Sequence, residues 1–120
     1  MSKVETELMR GAGPLAVLKL LERREMYGYE LVDSLDKQTV GVLAMGQSTL
    51  YPMLYNLEAK GFINAHWKDS PEGRERKYYK LTARGKKKLA TDTEQFARLA
   101  AAFTSLGVLS LVPSVVGRGA

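Results

Sequence analysis

Apolar positions recur along the chain with spacings that change at recognisable points, and each change marks an element boundary. Leu15, Val17, Leu18, Leu20 and Leu21 form a dense apolar segment closed by Glu22-Arg23-Arg24-Glu25, which predicts a buried helix. Residues 3–10 begin a helical pattern ahead of it, but Gly11-Ala12-Gly13-Pro14 interrupts that pattern. Pro14 lacks an N–H and suits the first turn of a new or resumed helix, so a bend is expected there. Tyr27-Gly28-Tyr29 predicts a turn, with Gly28 free to take unusual backbone angles. Leu31, Val32 and Leu35 then share one face of a second, amphipathic helix. Residues 36–46 read as irregular, with a short strand expected at Val42-Leu43-Ala44.

A third helix is predicted from Gln47 or Ser48, with Ser48 or Thr49 as its cap. Leu50, Met53, Leu54 and Leu57 make one apolar stripe, and at about 100° per residue Ser48, Pro52, Tyr55 and Ala59 point the other way, flanked by Thr49 and Asn56. Pro52 falls in or just past the first turn, where some distortion is expected. Lys60-Gly61 ends the helix with a basic turn and a glycine stop. Beyond it the period drops to two: Ile63, Ala65 and Trp67 alternate with Asn64, His66 and Lys68. Asp69-Ser70-Pro71-Glu72-Gly73 is a turn cluster, and alternation resumes through Arg76-Lys77-Tyr78-Tyr79-Lys80-Leu81. The pair is a β-hairpin, in which Trp67 is expected as a core or hairpin anchor ahead of the alternative, a platform for a ligand. Thr82 caps a last long helix, along which Leu89, Phe96, Leu99, Phe103 and Leu106 recur at close to heptad spacing. So long a stripe has no partner inside so small a domain; self-association is favoured over packing back onto the first helix.

The composition narrows the chemistry. The chain has 120 residues, one domain's worth, no cysteine and one histidine, His66. A disulfide framework and cysteine-type zinc sites are therefore excluded, and nothing points to a metal or any other cofactor. The net charge is +5, and its placement matters more than its size: ten basic and four acidic side chains fall in residues 46–90, against six and seven in 1–45 and two of each in 91–120. A localised basic surface suits a polyphosphate partner; a solvated basic face with no partner explains the charge alone equally well. No charge occurs from residue 99 to 117. Thr104, Ser105, Gly107, Ser110, Pro113 and Ser114 interrupt that stretch, which argues against a membrane span. The N-terminus lacks the apolar run of a signal peptide, and the expected location is cytoplasmic.

The order helix, helix, helix, hairpin, long helix predicts a mainly α fold with a small β-hairpin (α+β). It comprises a winged helix-turn-helix domain over 1–82, a dimerisation helix over 83–107 and an apolar tail over 108–120. In such a fold the third helix enters the major groove of double-stranded DNA and the hairpin reaches backbone or minor groove. Gln47, Ser48, Thr49, Tyr55 and Asn56 are the base-facing candidates. Tyr51 lies at the edge of the apolar stripe, where half-buried packing serves as well. Arg74, Arg76 and Lys77 suit phosphate or minor-groove contact, and Tyr29 and Lys60 are further DNA-contact candidates. Lys86-Lys87-Lys88 reads as a solvated helix face.

These residues also fall into blocks that resemble the PadR family of bacterial transcriptional regulators, in its short-C-terminus subgroup. The blocks are Tyr27-Gly28-Tyr29-Glu30-Leu31, Ser48-Thr49-Leu50-Tyr51-Pro52-Met53-Leu54, Leu57-Glu58-Ala59-Lys60-Gly61-Phe62-Ile63, and Arg76-Lys77-Tyr78-Tyr79-Lys80-Leu81-Thr82 with Gly85. They occur in the family's order and spacing over about residues 5–105. The resemblance implies a winged-helix homodimer that represses genes from a pseudo-palindromic operator, with the last helix and the partner's first helix forming the interface. It also implies an aromatic or cationic small-molecule effector that lowers DNA affinity. Candidates for the interface or effector pocket are Leu15, Leu18, Leu89, Phe96, Leu99, Ala100, Phe103 and Leu106. Two other readings compete: a DNA-binding architectural protein without sequence preference, and a winged helix used for protein contact. An enzyme is not expected, since no nucleophile–base pair, carboxylate dyad or phosphate-binding glycine loop is evident.

Overall fold

The computed structural model describes residues 3–110. The elements are α1 (Thr6–Arg23), β1 (Met26–Tyr27), α2 (Gly28–Gln38), α3 (Gln47–Ala59), β2 (Ile63–Asp69), β3 (Glu75–Leu81) and α4 (Ala83–Ser105). They fall into two compact units, one through Ala90 and one from Thr91. The part of the expected apolar tail beyond residue 110 lies outside the described residues.

The first unit is closed by leucines supplied at helical spacing. Leu18 of α1, Leu31 and Leu35 of α2, Leu50 and Leu54 of α3, and Ile63 of β2 are among its fully buried side chains. The sheet is antiparallel in the order β1-β3-β2. Its register pairs Ile63 with Leu81, Ala65 with Tyr79 and Trp67 with Lys77. β1 pairs Met26 with Tyr79 and Tyr27 with Tyr78, so the expected turn at Tyr27 is the end of a short third strand.

Several expectations are corrected. α1 runs unbroken through residues 11–14, with Pro14 inside it. An interior proline costs about 3 kcal/mol through its missing N–H and its clash with the carbonyl four residues back. Here Met9 on one side and Val17, Leu18, Leu20 and Leu21 on the other are buried in the same core. Each fully buried aliphatic side chain contributes about 1.5–3 kcal/mol, enough to hold both halves in line. No strand forms at residues 42–44. Thr39 Oγ1 accepts from Leu43 N at 2.9 Å, and turn bonds run from Val42 N to Thr39 O and from Ala44 N to Gly41 O. The N–H groups a ladder would need are spent locally. Gly28 opens α2 and is not among the positive-φ residues. Its missing side chain serves another purpose: a Cβ there would lie 2.3 Å from the Tyr51 hydroxyl oxygen.

The helix ends follow backbone chemistry. α3 stops at Gly61 (φ +81°), where Gly61 N donates to Glu58 O and Phe62 N to Leu57 O. That bond pair satisfies the last carbonyls through a left-handed residue that glycine adopts without strain. Thr82 caps α4 as expected: its Oγ1 accepts from Gly85 N at 2.9 Å.

Candidate nucleic-acid interface

α3 separates its side chains as its period requires. Leu50, Leu54 and Leu57 are buried, whereas Gln47, Ser48, Thr49, Tyr51, Tyr55, Asn56 and Lys60 are exposed. Ser48 and Thr49 do not cap the helix. The N-cap is Gly46, whose carbonyl accepts from Thr49 N at 3.1 Å and Leu50 N at 3.0 Å, and no side chain caps the end. The two hydroxyl residues therefore sit inside the first turn with their side chains outward, at the positive end of the helix dipole.

The hairpin stands beside this helix. Arg74 is exposed near the tip, and Arg76 and Lys77 are half-buried further along β3. The Arg76 guanidinium lies 4.8 Å from the centre of the Tyr27 ring, and its Nε is buried without a hydrogen-bond partner. Lys77 Nζ is 3.9 Å from Glu58 Oε1 of α3 and 5.6 Å from the Tyr79 ring centre. A cleft of about 400 Å³ opens between the start of α2, the start of α3 and the hairpin. It brings together Tyr29, Gln47, Tyr51, Arg76 and Lys77 of the expected contacts. Ser48, Thr49, Tyr55, Asn56, Lys60 and Arg74 lie outside its lining.

Trp67 also lines this cleft, and it is 62% exposed, not the expected anchor. Alternation correctly puts it on the face of Ile63, but the hairpin has run past the core by that point, so the ring meets solvent. Glu75 of β3 is a further lining residue that the sequence reading missed. The register could have flagged Trp67, because it sits opposite Lys77, itself a contact candidate.

Two carboxylates pin the hairpin to the rest of the unit. Glu25, just before β1, accepts from Lys68 and lies 3.2 Å from His66 Nε2, both on β2. The Lys68 hydrogen bond holds the Glu25 carboxyl below its ordinary value, and the same bond raises Lys68. Glu72, in the hairpin turn, accepts from Ser70 Oγ and, at 3.3 Å, from the Tyr27 hydroxyl. The Ser70 bond lowers its carboxyl, while burial raises the Tyr27 phenol.

The interface candidates divide. Leu18 and Leu89 are buried within the chain's own core, and Leu15 is half-buried against it. Phe96 (38%), Leu99 (48%), Phe103 (38%) and Leu106 (75%) are exposed, as is Ala100. Among the described residues no helix is long and apolar enough to cross a membrane, and no group of three or more His, Asp or Glu could hold a metal ion.

Three helices, a paired hairpin and an outward polar face on the third helix define a winged helix-turn-helix regulator. Residues 17–91 match the transcriptional regulator PadR-like family. The chain is 30% identical over 96 residues to an uncharacterized protein of Lysinibacillus sphaericus, covering 80% of this chain and 88% of that one. A solved PadR family transcriptional regulator from Eggerthella lenta is 33% identical, with a TM-score of 0.72 over 83% of this chain and 85% of that one. A Streptococcus transcriptional regulator is 31% identical, with a TM-score of 0.77 over 86% and 99%. The chain belongs to the PadR-like family of DNA-binding transcriptional regulators.

Proposed function

We propose that the protein is a cytoplasmic repressor that binds a pseudo-palindromic operator as a homodimer. The observation that carries this reading is the division of α3, with leucines locked inward and Gln47, Ser48, Thr49, Tyr55 and Asn56 outward, beside a hairpin bearing Arg74, Arg76 and Lys77. Short polar side chains approach base edges in the major groove without clashing, and Asn or Gln pairs well with adenine. Tyr29, Tyr51, Lys60 and the hairpin cations hold the backbone, which sets register without reading sequence. The exposed apolar stripe of α4 supports pairing with a second copy, which doubles the recognition surface and matches a two-fold operator. Release by an aromatic or cationic small molecule belongs to the same reading; the exposed rings of Phe96 and Phe103 offer such a molecule a stacking surface.

The test is a fluorescence-anisotropy titration on duplexes from upstream of the protein's own gene, against scrambled duplexes, at several salt concentrations. The expected result is affinity at least about a thousandfold tighter on one upstream duplex, falling steeply with salt. Equal affinity for every sequence would point to an architectural protein, and no salt-dependent binding to a protein-contact module.

A further inference from the structure

Trp67 is the chain's only tryptophan, and its ring is largely in solvent. Burying a ring of this size is among the larger apolar gains open to a small domain. The fold forgoes that gain and stands the ring in the cleft between α3 and the hairpin. Tyr51 lines the same cleft and is also exposed, with its hydroxyl in the space a side chain on Gly28 would need. The cations on the cleft are Arg76 and Lys77, and Glu75 is its one carboxylate among the described residues.

The occupant follows from where the cleft lies. If α3 sits in a major groove and the hairpin at the adjoining minor groove, the strand backbone dividing those grooves passes between them. The cleft has the chemistry of such a strand, with aromatic faces for deoxyribose and cations for phosphate. We propose that Trp67 and Tyr51 are the two walls of a slot for one sugar–phosphate strand of duplex DNA, with Arg76 and Lys77 neutralising its phosphates. Glu75, one residue nearer the hairpin tip than Arg76, repels phosphate at that end and restricts where along the slot the phosphates settle. This inference rests on the DNA-binding reading and adds Trp67 to it as a sequence-independent contact.

The single tryptophan makes the test direct. DNA-bound fluorophore anisotropy and Trp67 emission are followed in one titration of the full chain with duplex DNA, with iodide quenching measured at each end. The expected result is a change in Trp67 emission that tracks the anisotropy, and at least about a twofold fall in quenching by iodide. Trp67→Ala should weaken binding roughly five- to tenfold on operator and scrambled duplexes alike, with Trp67→Phe recovering most of the loss. The ring is exposed, so both variants should keep the wild-type urea midpoint, and that check separates lost contact from lost fold. Normal anisotropy with unchanged emission, unchanged quenching and an unaffected Ala variant would overturn the slot and leave DNA binding standing. Emission that answers a small aromatic compound but not DNA would overturn it too. Absence of any anisotropy change would overturn the DNA-binding reading itself, and the slot with it.

Discussion

Residues through Ala90 and residues from Thr91 onward place their apolar side chains in opposite ways. In the first unit the leucines of α1, α2 and α3 and the sheet residues Ile63, Tyr79 and Leu81 close over one another. In residues 91–110 no described side chain is buried, although Phe96, Leu99, Phe103 and Leu106 recur as regularly as any core stripe. The same kind of pattern thus has two physical outcomes. Where several elements converge, the stripe finds its cover within the chain. Where one helix carries it alone, the proposed cover is a second copy, because exposed aromatic and leucine positions at heptad spacing are what two copies of a helix bury against each other.

The largest expected effect lies in the first unit. Leu54→Ala removes a fully buried side chain, and the urea midpoint should report a loss of about 2–5 kcal/mol. Leu106→Ala, on the exposed stripe, should change monomer stability by no more than about 0.5 kcal/mol. Equal losses at the two positions would erase the contrast. Next is the stripe itself. Phe103→Asp places an unpaired charge in the proposed seam, where an apolar interface gives it no partner. Analytical ultracentrifugation should show dimer for the wild type and monomer for the variant, while the variant keeps the wild-type circular dichroism. A variant that stays dimeric would put the seam elsewhere.

On the DNA face the effects are smaller and differ in kind. Asn56→Ala should cost about 1–3 kcal/mol on the preferred duplex and relax preference at one base pair. Arg76→Ala should weaken all duplexes similarly and make the salt slope shallower by about one. Competition binding with a panel of single-base variants distinguishes the two. A change of preference in the Arg76 variant would mean that the hairpin reads bases.

The smallest effect is that of pH on the hairpin ties. The Glu25 and Glu72 carboxyls titrate below their ordinary value of about 4.5 in the folded chain. Their stabilisation is therefore complete above that value and is lost as the pH falls through the lower, folded-state values. Melting temperature measured from pH 6 to pH 3 should fall more steeply in the wild type than in a Glu25→Gln Glu72→Gln double variant. Parallel curves would mean that neither carboxylate holds the hairpin.

Much of the fold is legible in the chain because its signals are local. The stripe of α3, the alternation of β2 and β3, the stop at Gly61 and the cap at Thr82 each depend on neighbours a few residues away. What escapes local reading is set at a distance. β1 exists because β3, some fifty residues on, offers it hydrogen bonds. α1 passes through Pro14 because residues on both sides share a core with α2, α3 and the sheet. At the site, Tyr29, Gln47, Tyr51, Arg76 and Lys77 are recognisable by type and converge on one cleft. Trp67 is misread because alternation tells which face a residue takes but not where the core beneath that face ends. Glu25 and Glu72 give no sign of their roles, since a carboxylate's partners across a sheet cannot be read from spacing.

In the proposed function, a head with its own core becomes an operator reader through a helix that needs a second copy. Sedimentation of the protein with a labelled duplex carrying its preferred upstream sequence tests this most directly. The expected result is two chains per duplex, with a scrambled duplex left unbound at the same salt. One chain per duplex at full affinity would contradict it.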